Sequence, residues 1–153
     1  MIKNYTSSVA VDRSVSLIEH ELVKAGAQHI AKSYDEKGNL EGIMFQITSR
    51  NIPLSFRLPA KWRQCYQLMY KEVRRPRPDT EKKIREQSQR TAWKILYDWV
   101  SVQVSLIKLE QAEVVEVFMP YLFNIRTQKT LFETARDNGF KMLTAGDSDK
   151  KNP

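Results

Sequence analysis

The chain is poor in the residues from which most sites are built. Among 153 residues it holds one cysteine, Cys65, and two histidines, His20 and His29. One thiol permits no intramolecular disulfide, which fits a reducing compartment. Without a second cysteine, the histidines cannot complete a Cys/His zinc site. No metal or cofactor is therefore expected. Cys65 reads as a small buried hydrophobe, and the histidines read as surface or core-edge residues. The five glycines are isolated, which excludes a Gly-rich phosphate loop, and no G-x-S-x-G elbow occurs. Pro78-Asp79 with Glu81 and Lys83 brings carboxylates and a lysine together, but at a helix start rather than on adjoining strands. Capping is their expected role. No apolar run reaches the ~18 residues of a membrane span. Met1–Tyr5 is not followed by the apolar segment of a secretory signal. A cytoplasmic protein that is not an enzyme is the expectation.

Basic charge, by contrast, is plentiful and uneven. The net charge is +7. From Arg57 to Arg90 there are eleven basic residues against four acidic ones, which accounts for the whole excess; the rest of the chain balances 14 against 14. Such clustering makes a local positive field that attracts polyanions or an acidic protein face. The candidate contact residues are Arg57, Lys61, Arg63, Arg74, Arg75, Arg77, Lys83 and Arg90. Arg57 falls on the polar side of a strand pattern, and Lys61 and Arg63 open a helix. Arg74, Arg75 and Arg77 sit on a connection stiffened by Pro76 and Pro78. Lys83, Gln87, Arg90 and Lys94 recur four, three and four apart, on one helix face. Together they are expected to form one surface that tracks the phosphates of DNA or RNA, with arginine suited to bidentate contacts. Trp62 or Tyr66 could stack a base. The alternative partner for the same surface is an acidic or nucleic-acid-binding host protein.

Periodicity predicts an α+β fold. An apolar stripe of Val11, Val15, Ile18, Leu22 and Ala25 marks a helix over about 12–25, which Gly26 ends. Alternation then predicts strands over 28–34, 40–48 and 52–58, joined by a Gly38 hairpin loop and a turn at Thr48–Asn51. Pro53 cannot donate to a ladder, so the third strand, at least near Pro53, belongs at an edge or a bulge. Trp62, Cys65, Met69 and Val73 mark a helix over about 60–73. A long helix follows from Thr80 to about Gln111, capped by Asp79 or Thr80. Its leading stripe is Ile84, Ser88, Ala92, Ile95, Trp99, Val102, Leu106 and Leu109, and a second stripe is Trp93, Leu96, Val100, Val104 and Ile107. So wide an arc needs cover on two sides, by the rest of the chain or by a second subunit in a homodimer. A helix over 113–123, interrupted by Pro120, and one from Thr127 to Asn138 complete the pattern. The expected architecture is an N-terminal helix, a three-stranded antiparallel meander and a long central helix with C-terminal helices packed on it. Residues 1–143 should form one domain, and 144–153 a disordered tail.

The order helix, three strands, helix is similar to that of double-stranded RNA-binding domains. The Gly/Pro-rich strand loop and the K-K-x-A-K helix start of those domains are absent, and Pro59–Arg63 is only a loose echo. The chain as a whole resembles a family of small uncharacterised proteins carried by bacteriophages and prophages. The resemblance rests on Asn4–Ser7 with Val11–Ser14, on Phe56–Ala60, and on Ala92–Val100 leading to Val117–Leu122. It implies a phage origin and a host-cell cytoplasm, and it carries over no catalytic residues. On these grounds the chain is expected to be an accessory nucleic-acid-binding protein of a phage. The alternative is an interaction module, such as an inhibitor of a host defence nuclease of the CRISPR type.

Overall fold

In a computed structural model that describes residues 1–144, the chain opens with helix α1 (Val11–Lys24). Strands β1 (His29–Tyr34), β2 (Leu40–Ser49) and β3 (Ile52–Pro59) follow, then α2 (Trp62–Lys71) and the 29-residue α3 (Thr80–Lys108). The C-terminal part holds α4 (Val114–Phe118), a 3₁₀ turn at Met119–Tyr121, strands β4 (Phe123–Asn124) and β5 (Lys129–Thr130), and α5 (Leu131–Asp137). The expected α+β order is the observed one. Residues 145–153, most of the predicted tail, lie outside the described residues.

The three strands pair antiparallel in the order β1-β2-β3, and β3, the strand with Pro53, is at the edge as its proline requires. A two-residue turn at Arg50-Asn51 joins β2 to β3 with both residues at positive φ, +50° and +64°. That left-handed pair matches the twist of the flanking strands. At the other end Gly38 takes φ +80°. There Asp35 accepts from the backbone N–H groups of Lys37 and Asn39 at 2.9 and 2.8 Å.

Period two on the strands and 3.6 on the helices bring one apolar face from each element together. Val15, Ile18 and Leu22 of α1 join Ile43, Phe45 and Ile47 of β2, and Phe56 and Leu58 of β3, in one buried cluster. From α3 the cluster takes Trp93, Val100 and Val104, the second stripe of the sequence. The leading stripe is not the buried one. It is covered at Ser88, half-covered at Ala92, Ile95 and Trp99, and in solvent at Val102 and Leu109, which are 56% and 68% exposed. The reason is geometric. A 3.6-residue helix rotates away from a 3.5-residue stripe, and the sheet and α1 together select the face bearing Trp93.

The C-terminal part departs from expectation in two places. The last helix is capped by Thr130, not Thr127. The Thr130 hydroxyl accepts from Glu133 N–H at 3.2 Å, and the Glu133 carboxylate accepts from Thr130 N–H at 3.1 Å, a reciprocal capping box. Thr127 instead sits in the tight β4–β5 turn, where Asn124 Oδ1 accepts from the N–H of Arg126. Strands of two residues are too short for any alternation to reveal. The helix expected over 113–123 instead ends at Phe118, before Pro120, and the chain tightens into the 3₁₀ turn that carries the proline.

Gly42 offers a test of the sheet. It is buried in β2, and a Cβ there would lie 2.9 Å from the Leu58 carbonyl oxygen on β3. Backbone cannot swing aside as a side chain can. Gly42→Ala is expected to cost about 1–3 kcal/mol, seen as a lower midpoint of thermal unfolding. An unchanged midpoint would mean that β3 shifts freely against β2.

Candidate functional site

The eight candidate basic residues fall into three groups. Three are engaged by neighbours. Arg63 pairs with Asp35 at 2.6 Å and with Glu41, which fastens the start of α2 to the β1–β2 hairpin. Those carboxylates hold the Arg63 guanidinium pKa above its usual range, the Glu41 hydrogen bond first among the causes. Lys83 pairs with Asp79 one turn back along α3. Arg90 donates to Gln87 Oε1 at 2.6 Å and is half-buried. Two more, Arg57 and Lys61, line an apolar groove at the start of α2. Arg74, Arg75 and Arg77 stand beyond its other end. The ten residues of α2 put about 15 Å between these sets, well over the ~8 Å screening length of physiological salt. The expected single surface is thus divided.

The shared face of Lys83, Gln87, Arg90 and Lys94 is divided too, because the N-terminal lead lies across it. Gln87 Nε2 donates to the carbonyls of Tyr5 and Ser7 at 3.1 and 3.0 Å. Thr91 Oγ1 donates to the carbonyl of Asn4 at 2.9 Å. Asp98 accepts from Asn4 Nδ2 at 2.9 Å and from Lys94 Nζ at 2.6 Å, and Lys3 lies 3.6 Å away. The N-terminal lead is thus strapped to α3, with Gln87 directly, and Lys94 through Asp98, among its fasteners.

Burial works to raise the Asp98 pKa, but the hydrogen bonds from Lys94 and Asn4 and the nearby lysine charges outweigh it and lower it. A carboxylate lowered on folding contributes stability that is complete above its unfolded pKa of about 3.9 and is lost as pH falls through the folded value. The strap should therefore hold at neutral pH and loosen in acid. The protection of the Ser7 amide, which donates to the Asn4 carbonyl, is expected to fall as pH drops from neutrality to below about 4. In Asp98→Asn this dependence should vanish, with about 1 kcal/mol of strap stability lost at pH 7. Protection that stays level across that range would remove Asp98 from the role.

What stands exposed is the tip of the α2–α3 hairpin. From Tyr66 to Gln87 no residue is buried. Lys71, Arg74, Arg75, Arg77, Lys82 and Arg85 are all exposed there. Among the described residues none of the six has a carboxylate within 4.0 Å. The backbone beneath them is fixed. Pro76 and Pro78 each hold φ near −65°, Arg77 N–H donates to Thr80 Oγ1 at 2.7 Å, and Thr80 N–H returns a bond to Arg77 O at 3.0 Å. Asp79 occupies the N-cap position of α3 without a side-chain capping bond, its carboxylate being taken by Lys83. On α2, half-buried Tyr66 and Tyr70 stack at 5.6 Å. Trp62 is core instead, 7% exposed, with Arg63 over its ring. Lys71, Lys82 and Arg85 belong to this cluster although spacing alone did not single them out. They join it because no ion pair to them forms among the described residues, although Glu72, Glu81 and Glu86 lie in the same stretch.

The groove is the other feature. It encloses about 790 Å³ between the end of β3, α2, α3 and the C-terminal part. Cys65 is buried at its side, and burial pushes the thiol pKa up, as suits a packed hydrophobe. His20 and His29 are exposed and lie outside both features. Among the described residues no helix is long and apolar enough to cross a membrane. The chain matches no protein-family model, no curated protein and no solved structure.

Proposed function

We propose that the protein is a non-enzymatic nucleic-acid-binding protein that grips phosphates with the tip of the α2–α3 hairpin. The observation that carries this reading is the set of six exposed cations with no carboxylate within 4.0 Å among the described residues, on a backbone stiffened by two prolines. Three are arginines in four residues, Arg74, Arg75 and Arg77, whose planar forks match phosphate oxygens. The stacked Tyr66–Tyr70 pair supports a single strand more than a duplex, since a ring can accept a base of any sequence. Arg63, Lys83 and Arg90 have local partners and take no part. In the phage setting that the sequence resemblance implies, this is an accessory role in nucleic-acid metabolism.

The experiment is a titration of fluorescein-labelled single-stranded and duplex oligonucleotides at a series of salt concentrations. Binding that weakens linearly in log–log form as salt rises is expected. No binding at low salt would end the reading. Pull-down from bacterial lysate with and without nuclease adds a second decision. Partners that survive nuclease and depend on Arg74, Arg75 and Arg77 would assign the tip to an acidic protein face instead, such as that of a host defence nuclease.

A further inference from the structure

The groove runs along the leading stripe of α3 where α2, the C-terminal part and Ile2 cover it only in part. Its floor is Ala92, Ile95 and Trp99, all half-buried. The flanks are in place. Leu68 of α2 rises on one side and Phe132 of α5 on the other, 51% and 49% exposed. Ala92 at the floor is small enough for another backbone to come close. The trough thus has the shape of a missing helix.

Its charge says what kind. Arg57 and Lys61 lie along one rim, and Arg136, 3.5 Å from Asp137, along the other. The single lining acid, Glu133, has its carboxylate turned to the Thr130 N–H in the α5 capping box. We propose that this groove docks an amphipathic helix of a protein partner, with large apolar side chains on one face and Asp or Glu flanking them. Helix-in-groove recognition of this kind uses anchors at i, i+3, i+4 and i+7. Three other occupants fit less well. A second copy would bring a net charge of +7 to a basic rim. Residues 145–153 contain no large apolar side chain. A nucleobase would need an open ring, but Trp99 is half-buried and already packs against Phe118 and Tyr121 at 5.9 and 5.6 Å.

The probe is a capped, tryptophan-free helical peptide with Leu and Phe on one face and Glu on the other, followed by polarisation of a label and by the protein's tryptophan emission. Saturable binding is expected. Leu68→Glu and Phe132→Glu, both at half-exposed positions, should each weaken it at least about tenfold while thermal unfolding stays cooperative. Lys61→Glu with Arg136→Glu should weaken it most at low salt. The same peptide with Lys for Glu should not bind. Arg74→Ala/Arg75→Ala/Arg77→Ala should leave peptide binding unchanged, so failure here and failure of the hairpin-tip reading are separable. Four results would overturn the proposal. They are no saturation below ~1 mM, indifference to Leu68→Glu, equal binding of the Lys peptide, and loss of oligonucleotide affinity in Leu68→Glu. A dimer in sedimentation that Leu68→Glu dissolves would assign the groove to a second copy and likewise overturn it.

Discussion

Phe118→Ala is expected to destabilise the protein by about 3–5 kcal/mol and to lower the midpoint of thermal unfolding by roughly 10 °C. Phe118 is fully buried and belongs to α4, outside the α1–sheet–α3 unit it enters. Its ring meets Phe45 at 5.2 Å and 78°, Phe56 at 6.0 Å and Trp99 at 5.9 Å and 74°. Edge-to-face pairs of this kind add about 0.5–1.5 kcal/mol beyond the area they bury. Truncation leaves a cavity bounded by two strands and a long helix, none of which can collapse into it. It also removes the main apolar anchor of the C-terminal part. The control is Phe132→Ala, which changes an aromatic residue of the same segment at a position 49% exposed and should stay within about 0.5 kcal/mol of wild type. Equal losses from the two would show that the C-terminal part is held by its surface and not by this ring.

Arg74→Ala/Arg75→Ala/Arg77→Ala should lower single-stranded oligonucleotide affinity about fiftyfold near physiological salt and reduce the log–log salt slope by about 2.1. Both figures follow from releasing three fewer counterions. The fold should not change, since all three side chains are exposed and exposed sites away from caps and cores shift stability by no more than about 0.5 kcal/mol. Replacing the three by Lys keeps the slope and loses only the bidentate geometry, so a smaller drop in affinity is expected. Arg63→Ala is the sharper comparison. It removes the same charge from a residue already held by Asp35 and Glu41, and oligonucleotide affinity should hardly move. If Arg63→Ala weakens binding as much as Arg74→Ala alone, net charge rather than the hairpin tip is responsible.

Much of the fold was legible in the sequence because period two and period 3.6 are separate signals over long runs. The alternation of Ile52, Leu54, Phe56 and Leu58 defined β3, and Pro53 defined its place at the edge. What alternation could not resolve was which of two stripes on α3 would be buried, since both are apolar. That choice was made by α1 and the sheet, far away in sequence. The Thr130–Glu133 capping box was present as T-L-F-E but was masked by Thr127 three residues earlier. The candidate site was legible as composition and not as geometry. Charge counts located the excess between Arg57 and Arg90, but they carry no information about local partners. Only coordinates reveal that Asp35, reached across a hairpin, takes Arg63, and that residues 3–7 lie against the polar face of α3 that spacing had assigned to phosphates.

Because α3 runs unbroken from the hairpin tip to the floor of the groove, it also acts as a ruler. The 15 residues from Thr80 to Ile95 fix the two places about 22 Å apart, close to the rise of six or seven base steps at about 3.4 Å each. On the two proposals made above, a partner helix in the groove would sit at a set offset from nucleic acid held at the tip. Adding or removing one residue near Ser88 would turn one place about 100° around the rod relative to the other, which makes phase, more than reach, the quantity that the helix controls.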